Sequence, residues 1–331
     1  MEKILLSHGG GGEETWKLIK ELFFKYFSNP ILESMEDAAT LSVEGKIAFT
    51  TDGFTVSPIF FPGGDIGKLA VAGTVNDLAA VAAEPKYLSV SFIIEEGLPF
   101  KDLERVVQSM AKTASEVGVQ IVTGDTKVVP KGAADKLFIS VSGIGKIVKE
   151  GVSARNLSEG DVILVSSTVG DHGACIFALR EGLEFEGLKS DCVPLWDMVK
   201  RLLEEGINIK AMRDPTRGGL SAVLNEWAQA SNVGIFVEEE KIPVDEKVLG
   251  LCEFLGIEPY DLASEGNMVI AVAPEDAQKA LEILKSHPLG RKASIIGKVK
   301  NQPRGKVILK TLYGVERILE PPSGEILPRI C

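Results

Sequence analysis

Short β-type runs alternate with helical runs along most of this sequence, and the alternation determines the class of fold. Residues 102–117 form the clearest helical pattern, because their apolar residues recur on one stripe and Gly118 follows as a stop signal. A run rich in Val and Ile, 119–123, comes directly afterwards and leads into Gly124 and Asp125. Strands and helices in alternation predict an α/β (α+β) protein.

Two α/β units are expected, because 331 residues exceed the usual size of one domain. The first unit, 1–150, has predicted strands at 46–51, 87–95, 119–123 and 136–148 and helices at 15–27, 69–83 and 102–117. The second unit, 151–320, has predicted strands at 161–166, 234–238 and 267–273 and helices at 173–181, 194–205, 218–230 and 275–286. Pro321 and Pro322 break regular structure, so residues 321–331 are expected to form a flexible tail.

The charge of the sequence argues against nucleic acids and anionic membranes as partners. The formal net charge is −11, and the clusters of Lys and Arg that a phosphate backbone needs are absent. The N-terminal apolar run is too short for a signal peptide, and the apolar stretch 67–83 is interrupted by Asn76 and Asp77. We therefore expect a soluble, cytoplasmic protein that binds neither nucleic acid nor a membrane.

The four cysteines show no pairing pattern of a zinc site or a disulfide framework. Cys175, Cys192 and Cys252 lie among apolar neighbours and are expected to be inert core residues. Cys331 instead ends the tail, which could extend roughly 30 Å. Its thiol is expected to be mostly protonated, because its own carboxylate is a negative neighbour that Arg329 offsets only in part.

Acidic residues recur beside Gly, Asn or Thr at predicted strand ends and helix starts. They are Asp37 in EDAA, Asp52 in TTDG, Asp77 in NDLAA, Asp125 in TGDTK and Asp214 in DPTRGG. Loops at strand ends converge in α/β folds, and several carboxylates that meet would repel one another unless a cation lies among them. Mg²⁺ fits, because a few carboxylates and nucleotide phosphate oxygens hold it. Taken singly, each Asp could instead form a turn or cap a helix.

Groups for binding phosphates are also present. Lys127 offers positive charge, and the loop SHGGGG, which contains Gly9, Gly10, Gly11 and Gly12, offers backbone N–H groups. Four consecutive glycines predict a mobile loop with no fixed conformation of its own. Neither a Walker sequence nor a GxGxxG turn after a strand is present, so the usual phosphate loops are missing.

In this order, the acidic motifs resemble the ATP-binding superfamily of aminoimidazole ribonucleotide synthetase, selenophosphate synthetase and thiamine monophosphate kinase. Within it the sequence is most similar to the HypE family of hydrogenase maturation factors, through SHGGGG, TTDGF, GTVNDLAA, GDTKVV, RDPTRGGL, LASEGN, HPLG and the terminal PRIC. The resemblance covers essentially the whole chain. It implies a two-domain aminoimidazole ribonucleotide synthetase-like fold with an N-terminal domain that forms a dimeric β-barrel, a C-terminal α/β domain and a flexible tail.

The resemblance implies ATP and Mg²⁺ as cofactors. The implied metal ligands are Asp37, Asp52, Asp77, Asp125 and Asp214. The implied nucleotide-binding residues are Asp37, Asp52, Asn76, Asp77, Asp125, Lys127 and the glycines 9–12. Glu36 stands where several relatives have Asp, so it is left out of the metal set.

The reaction that the resemblance implies is ATP-dependent dehydration of a carbamoyl group on Cys331 to a thiocyanate, the source of cyanide for the iron centre of NiFe hydrogenase. Oxygen is a poor leaving group until the γ-phosphoryl of ATP converts it to phosphate. Lys127 would neutralise developing charge, and Glu265 in ASEGN is the candidate base, although it could equally be a turn carboxylate. The implied partners are a second copy in a homodimer, the HypF carbamoyltransferase and the HypC–HypD complex.

Two other functions stay open at the level of sequence. The chain could be a non-catalytic carrier of a group on Cys331, or a small-molecule phosphotransferase like selenophosphate synthetase or thiamine monophosphate kinase. The glycine loop has no thiol, unlike that of selenophosphate synthetase, and a terminal PRIC has no role in a small-molecule kinase.

Overall fold

A four-stranded sheet forms the framework of the first half of the protein. The computed structural model describes residues 2–10, 12–34, 38–183, 186–322 and 329–331. The sheet has the order β1-β6-β4-β5, in which β4 and β5 are parallel and the other neighbours antiparallel. Its strands are β1 (Ile47–Phe54), β4 (Ala83–Glu95), β5 (Gln120–Val129) and β6 (Leu137–Ile147), and a small hairpin pairs β2 (Phe60–Phe61) with β3 (Gly64–Asp65).

Helices pack against one face of this sheet. They are α1 (Glu13–Leu18) and α2 (Phe24–Phe27), joined by a π-helical turn at Ile19–Phe23, then α3 (Ile66–Ala80) and α4 (Phe100–Val117). Asp65 caps α3, since its carboxylate accepts hydrogen bonds from Gly67 N and Lys68 N. All residues of α3 except Lys68 and Asp77 are buried, because the helix lies between the sheet and the second half of the chain.

The opposite face of the four-stranded sheet carries exposed apolar side chains. Phe49 is 68% exposed and Ile47 is 53% exposed, both on β1. Side chains alternate between the faces of a strand, so Thr50 and Asp52 on the same strand point towards α3. The first sheet therefore has one face in the core and one open face.

The second half is built on a seven-stranded sheet of order β13-β12-β9-β11-β7-β10-β8, in which only the pair β12 and β9 is parallel. Its strands are β7 (Val162–Val165), β8 (Ile209–Arg213), β9 (Gly234–Glu238), β10 (Val269–Val272), β11 (Ser294–Lys300), β12 (Lys306–Lys310) and β13 (Glu316–Ile318). Its helices are α5 (Asp171–Arg180), α6 (Trp196–Glu204), α7 (Gly219–Ala230), α8 (Glu246–Leu255) and α9 (Ala277–Ser286). The predicted mixed α/β class is confirmed, whereas β8 and α8 were not predicted.

One apolar core extends through both halves. It contains Leu69 of α3 and Val106 of α4 together with Val199 of α6 and Leu284 of α9. Residue 150 falls between β6 and β7, and the domain boundary there stays a prediction. Within the described residues, no helix is both long and apolar enough to cross a bilayer.

Candidate functional site

Three of the predicted aspartates lie together with Glu265 between the two halves. Asp52 lies on β1 and Asp77 on α3, whereas Asp214 directly follows β8 and Glu265 precedes β10. Burial and Asp77 raise the pKa of Asp52 to about 6, and burial with Asp77 and Asp52 raises the pKa of Asp214 to about 7. Burial, reinforced chiefly by Asp214, raises the pKa of Glu265 well above its usual range. The predicted convergence is therefore found for Asp52, Asp77 and Asp214.

Neutral hydroxyl groups hold two of these aspartates. Thr50 Oγ1 donates to Asp77 Oδ2 at 2.7 Å, and Thr74 Oγ1 donates to Asp52 Oδ2 at 3.3 Å. Hydroxyls orient the carboxylates but bring no positive charge, so mutual repulsion persists. An arrangement of this kind favours the binding of a cation.

Glu265 is fixed through its backbone while its carboxyl group is left unpaired. Its N–H and that of Gly266 donate to the two carboxylate oxygens of Asp191, each at 3.0 Å. A Cβ on Gly266 would lie 1.9 Å from the carbonyl oxygen of Asp191, so only glycine fits there. The Glu265 side chain is 1% exposed, and its Oε1 has no hydrogen-bond partner in the part of the chain that the structure describes. A buried, unpaired carboxyl group is free to exchange a proton with a ligand.

Asn76 ties α3 to the second half. Its amide nitrogen donates to Val193 O at 3.1 Å and to Glu265 O at 3.4 Å, and its Oδ1 accepts from Leu195 N at 2.8 Å. Both amide atoms therefore bind backbone, and the side chain is fully buried. Asn76 positions Glu265 by these contacts, and its role in nucleotide binding stays a prediction.

Cys331 lies beside this group of carboxylates. Its backbone oxygen accepts hydrogen bonds from Thr55 N at 2.9 Å and from Thr55 Oγ1 at 3.2 Å, and its Sγ is 4.0 Å from a guanidinium nitrogen of Arg217. Burial and then Glu265 raise the pKa of the thiol to about 11, although Arg217 lowers it. The thiol is thus protonated as predicted, but burial and Glu265 are the causes. The positive charge that lowers its pKa comes from Arg217, whereas Arg329 was predicted to supply it.

The end of the predicted flexible tail is docked. Ile330 is 4% exposed, and its carbonyl oxygen lies 2.8 Å from His172 Nε2. The guanidinium of Arg329 pairs with Asp135 at 3.0 Å and donates to Thr55 O at 2.9 Å. Ile330 and Cys331 are packed against the protein, whereas Arg329 is exposed at the surface and residues 323–328 lie outside the described residues.

Asp125 and Lys127 lie elsewhere in the same chain. They form an ion pair at 3.0 Å on β5, with both side chains exposed. Asp125 faces Ser91 of β4, Ser91 faces Ser140 of β6, and Ser140 faces Gly53 of β1. Three strand spacings, about 14 Å, thus separate Asp125 from β1, and its side chain belongs to the open face of the sheet. One chain alone does not bring Asp125 and Lys127 to Asp52.

The glycine loop packs beside β5. Leu6–Gly9 form a 3₁₀ turn, and the buried His8 accepts a hydrogen bond from Leu5 N at 2.9 Å through Nδ1. A Cβ on Gly9 would lie 2.6 Å from Val128 N, so the close approach requires glycine. The prediction of a loop without fixed conformation is wrong for residues 7–9, because the His8 contact and the packing against Val128 order them. The loop does lie beside Lys127, whereas Gly11, Glu36 and Asp37 lie outside the described residues.

The described residues of one chain do not form a complete metal site. Across residues 2–10, 12–34, 38–183, 186–322 and 329–331, no three His, Cys, Asp or Glu side chains form a ready metal-binding group. The raised pKa values of Asp52 and Asp214 and the unpaired oxygen of Glu265 nevertheless fit a cation. Mg²⁺ suits such a site, because it keeps several waters and takes few protein ligands beside nucleotide phosphates.

Several residues of the site were not predicted. Arg217 lies within the DPTRGG motif, so its position next to Asp214 was a signal that could have identified it. Asp191 and His172 lie in none of the motifs described above. The three cysteines expected to be inert, Cys175, Cys192 and Cys252, are buried as predicted.

Models of known protein families match most of the chain. Residues 35–147 match the N-terminal domain of AIR synthase related proteins, and residues 158–310 match the C-terminal domain of that family. A structure of thiamine monophosphate kinase from Aquifex aeolicus, 23% identical with a TM-score of 0.62, covers 92% of this chain and 99% of its own and shares the fold.

More similar proteins cover the whole chain. The carbamoyl dehydratase HypE of Escherichia coli is 49% identical over 100% of both chains, and a putative hydrogenase expression/formation protein of Methanocaldococcus jannaschii is 48% identical over 99% of this chain and 100% of its own. A solved structure of HypE in complex with ATP is 47% identical, covers 99% of both chains and has a TM-score of 0.96. The chain therefore belongs to the HypE family of hydrogenase maturation proteins, within the AIR synthase related proteins.

Proposed function

We propose that this chain dehydrates a carbamoyl group carried on the Cys331 thiol to a thiocyanate, with ATP as the phosphoryl donor. The observation that carries the proposal is the position of Cys331, whose thiol lies where Glu265 and Asp52 influence its pKa. Relatives named carbamoyl dehydratase and a HypE structure with bound ATP support both the reaction and the nucleotide. The thiocyanate would supply the cyanide for the iron centre of NiFe hydrogenase.

The reaction needs phosphoryl transfer followed by elimination. The carbamoyl oxygen of –S–C(=O)NH₂ attacks the γ-phosphorus and displaces ADP, which turns the oxygen into part of a phosphate leaving group. The nitrogen loses its two protons, the C–O bond breaks, and –S–C≡N and inorganic phosphate remain. The oxygen that leaves the carbamoyl group therefore ends in phosphate, and the sulfur stays bonded to carbon throughout.

Glu265 would accept a proton from the carbamoyl nitrogen. Its carboxyl group is buried, has an unpaired oxygen and lies near enough to Cys331 to raise the pKa of the thiol, and Asp191 and Asn76 fix its backbone. Arg217 lies at the sulfur and is the positive charge within reach of the docked Cys331. A tail held by Thr55 keeps the reacting group in place, which lowers the entropy cost of the step.

Asp52, Asp77 and Asp214 would hold Mg²⁺. When bound, the ion supplies positive charge that favours ionised carboxylates and nucleotide phosphates in one site. The proposed metal ligands also include Asp37 and Asp125. The proposed nucleotide-binding residues also include Asn76, Lys127 and Gly9–Gly12.

A homodimer formed through the open face of the first sheet would explain the position of β5. That face exposes Phe49 and Ile47 and includes Asp125 and Lys127. Covering it with the same face of a second copy would bury the apolar side chains and close a β-barrel. The exposed Asp125 and Lys127 of one copy would then lie near the boundary between the subunits.

HypF is the proposed loading partner, since a solved HypE–HypF complex contains a chain 50% identical to this one, with a TM-score of 0.81 over 92% of this chain and 99% of that chain. The HypC–HypD complex is the proposed acceptor of the cyanide, and the cytoplasm the proposed location.

Mass spectrometry of the C-terminal peptide tests the proposal. The full chain is incubated with HypF, carbamoyl phosphate and ATP, and the peptide that contains Cys331 is weighed over time. Gain of a carbamoyl group followed by loss of the mass of one water, with ATP consumed one for one, is the expected result. A stable carbamoylated peptide without ATP turnover would favour the carrier, and turnover that persists in Cys331→Ala would favour a small-molecule phosphotransferase.

A further inference from the structure

Residues 329–331 are bound through their successive backbone oxygen atoms. The guanidinium of Arg180 donates to Arg329 O, His172 Nε2 lies 2.8 Å from Ile330 O, and Thr55 N donates to Cys331 O at 2.9 Å. Of these three donor residues, His172 is fully buried, whereas Arg180 and Thr55 are partly exposed. The contact with Ile330 is thus the one most shielded from water.

The partners of His172 determine which ring nitrogen carries the proton. A backbone carbonyl can only accept, so the 2.8 Å contact with Ile330 O requires a proton on Nε2. The other nitrogen, Nδ1, lies 2.7 Å from Ser190 Oγ, and that hydroxyl accepts from Cys192 N at 3.1 Å. With Ser190 donating to Nδ1, each of these groups is satisfied by a neutral ring.

We propose that His172, neutral and protonated on Nε2, is the receptor that positions the tail for reaction, by holding the Ile330 carbonyl so that the Cys331 thiol lies beside Arg217 and near Glu265. His172 does not touch the sulfur, so it is a positioning residue and not a catalytic one. The inference rests on the proposed function only for what happens to the docked Cys331; the docking itself does not depend on it.

His172 is buried, so its Nε2–H depends on the docked tail for a hydrogen-bond acceptor. Phe61 packs edge-on against the ring at 5.5 Å between centroids, and Ile330 is 4% exposed. When the tail leaves, a buried N–H loses its acceptor, which is unfavourable. Burial also lowers the pKa of His172 to about 4, so the ring remains a neutral donor at physiological pH.

Alkylation of Cys331 measures the docking directly. The full-length protein is treated with iodoacetamide, and the alkylated fraction of the C-terminal peptide is followed by mass spectrometry. His172→Phe keeps an aromatic ring beside Phe61 but removes the donor, and loss of one buried hydrogen bond should raise the alkylation rate about tenfold. His172→Gln, which retains a side-chain N–H, should restore most of the protection.

His287→Phe is the matched control. His287 is also buried, but it binds Asp197 and Leu289 N, not the tail. Its replacement should leave Cys331 alkylation unchanged. Equal alkylation rates in wild type and His172→Phe would overturn the proposal, and so would equal acceleration in His172→Phe and His287→Phe.

The tautomer gives a second measurement that needs no variant. The chain has three histidines, so ¹⁵N labelling of histidine in the wild-type protein yields few ring signals. A buried ring with its proton on Nε2 is expected, whereas a proton on Nδ1 of His172 would overturn the proposal even if His172→Phe failed to fold.

The carbamoylated protein separates this inference from the proposed function. In single turnover, His172→Phe should dehydrate about tenfold more slowly, with the KM for ATP unchanged and His172→Gln partly rescued. Faster alkylation with an unchanged dehydration rate would overturn the positioning role. If wild type itself failed to dehydrate while the alkylation results held, the proposed function would be wrong and the docking of the tail by His172 would stand.

Discussion

Replacing Asp214 by Asn should stabilise the metal-free protein at neutral and alkaline pH. Asp214 is 6% exposed, and burial, Asp77 and Asp52 raise its pKa from an ordinary 3.8 to about 7. Asn has nearly the same shape but no charge. The substitution therefore removes repulsion from the carboxylate group while it leaves the packing almost unchanged.

The size and the pH dependence of the effect follow from this pKa. A rise of about three in the pKa of Asp214 corresponds to about 4 kcal/mol in the free energy of unfolding. Because the neighbouring carboxylates can relax or share the proton, we expect about half of this, ~2 kcal/mol. Between pH 4 and 7 the unfolded state binds fewer protons at Asp214 than the folded state, so the stability of the wild type falls as pH rises through this window. The advantage of Asp214→Asn should be near zero at pH 4 and constant above pH 7.

Thermal unfolding in the presence of a chelator, from pH 4 to 8.5, measures this difference. The expected increase in Tm for Asp214→Asn at pH 8 is about 3 °C. The control is Asp197→Asn, because the Asp197 side chain is largely exposed; burial is the largest single influence and raises its pKa, but His287 and Arg201 together outweigh it, so the pKa is lowered. That pairing stabilises the fold above the unfolded pKa, so Asp197→Asn should slightly lower Tm at pH 8.

The opposite response is expected when ligand is present. Mg²⁺ with ATP should raise the Tm of the wild type more than that of Asp214→Asn, because the variant lacks one proposed ligand. If Asp214→Asn had an unchanged or lower Tm at pH 8 without metal, or a benefit that did not vary with pH, the carboxylates would not repel one another as described.

Three further substitutions test separate parts of the site. Glu265→Gln should slow dehydration about 100-fold or more without lowering Tm. Glu275→Gln, at an exposed position, should leave the rate unchanged. Equal dehydration rates in the two variants would exclude Glu265 as the base. Asn76→Ala leaves buried backbone groups without partners and should cost about 3 kcal/mol in urea unfolding, and a cost near zero would contradict the contacts described. Phe49→Glu should convert a dimer to a monomer in light scattering, whereas Phe254→Glu on the exposed side of α8 should not; a dimer that survives Phe49→Glu would place the interface elsewhere.

Local patterns predicted most of the elements. The helix α4 was predicted within two residues at its start and at its correct end, because its apolar stripe and Gly118 are encoded within consecutive residues. The strand β8 (Ile209–Arg213) was missed, since its charged residues hide a strand that pairs with β10 only in the folded sheet. The helix α8 was missed too, and Gly250 within it weakens the helical pattern.

The sequence by itself determined the mixed α/β class, the family and the kinds of side chain available to the site, because these depend on local patterns and motifs. Only the tertiary structure decided which carboxylates meet. Asp52, Asp77 and Asp214 are far apart in sequence, yet Asp77 raises the pKa of both Asp52 and Asp214, whereas Asp125 belongs to the opposite face of the sheet. It also decided that Cys331 is docked by Thr55 and His172, since hydrogen bonds and burial across more than 150 residues leave no local signal.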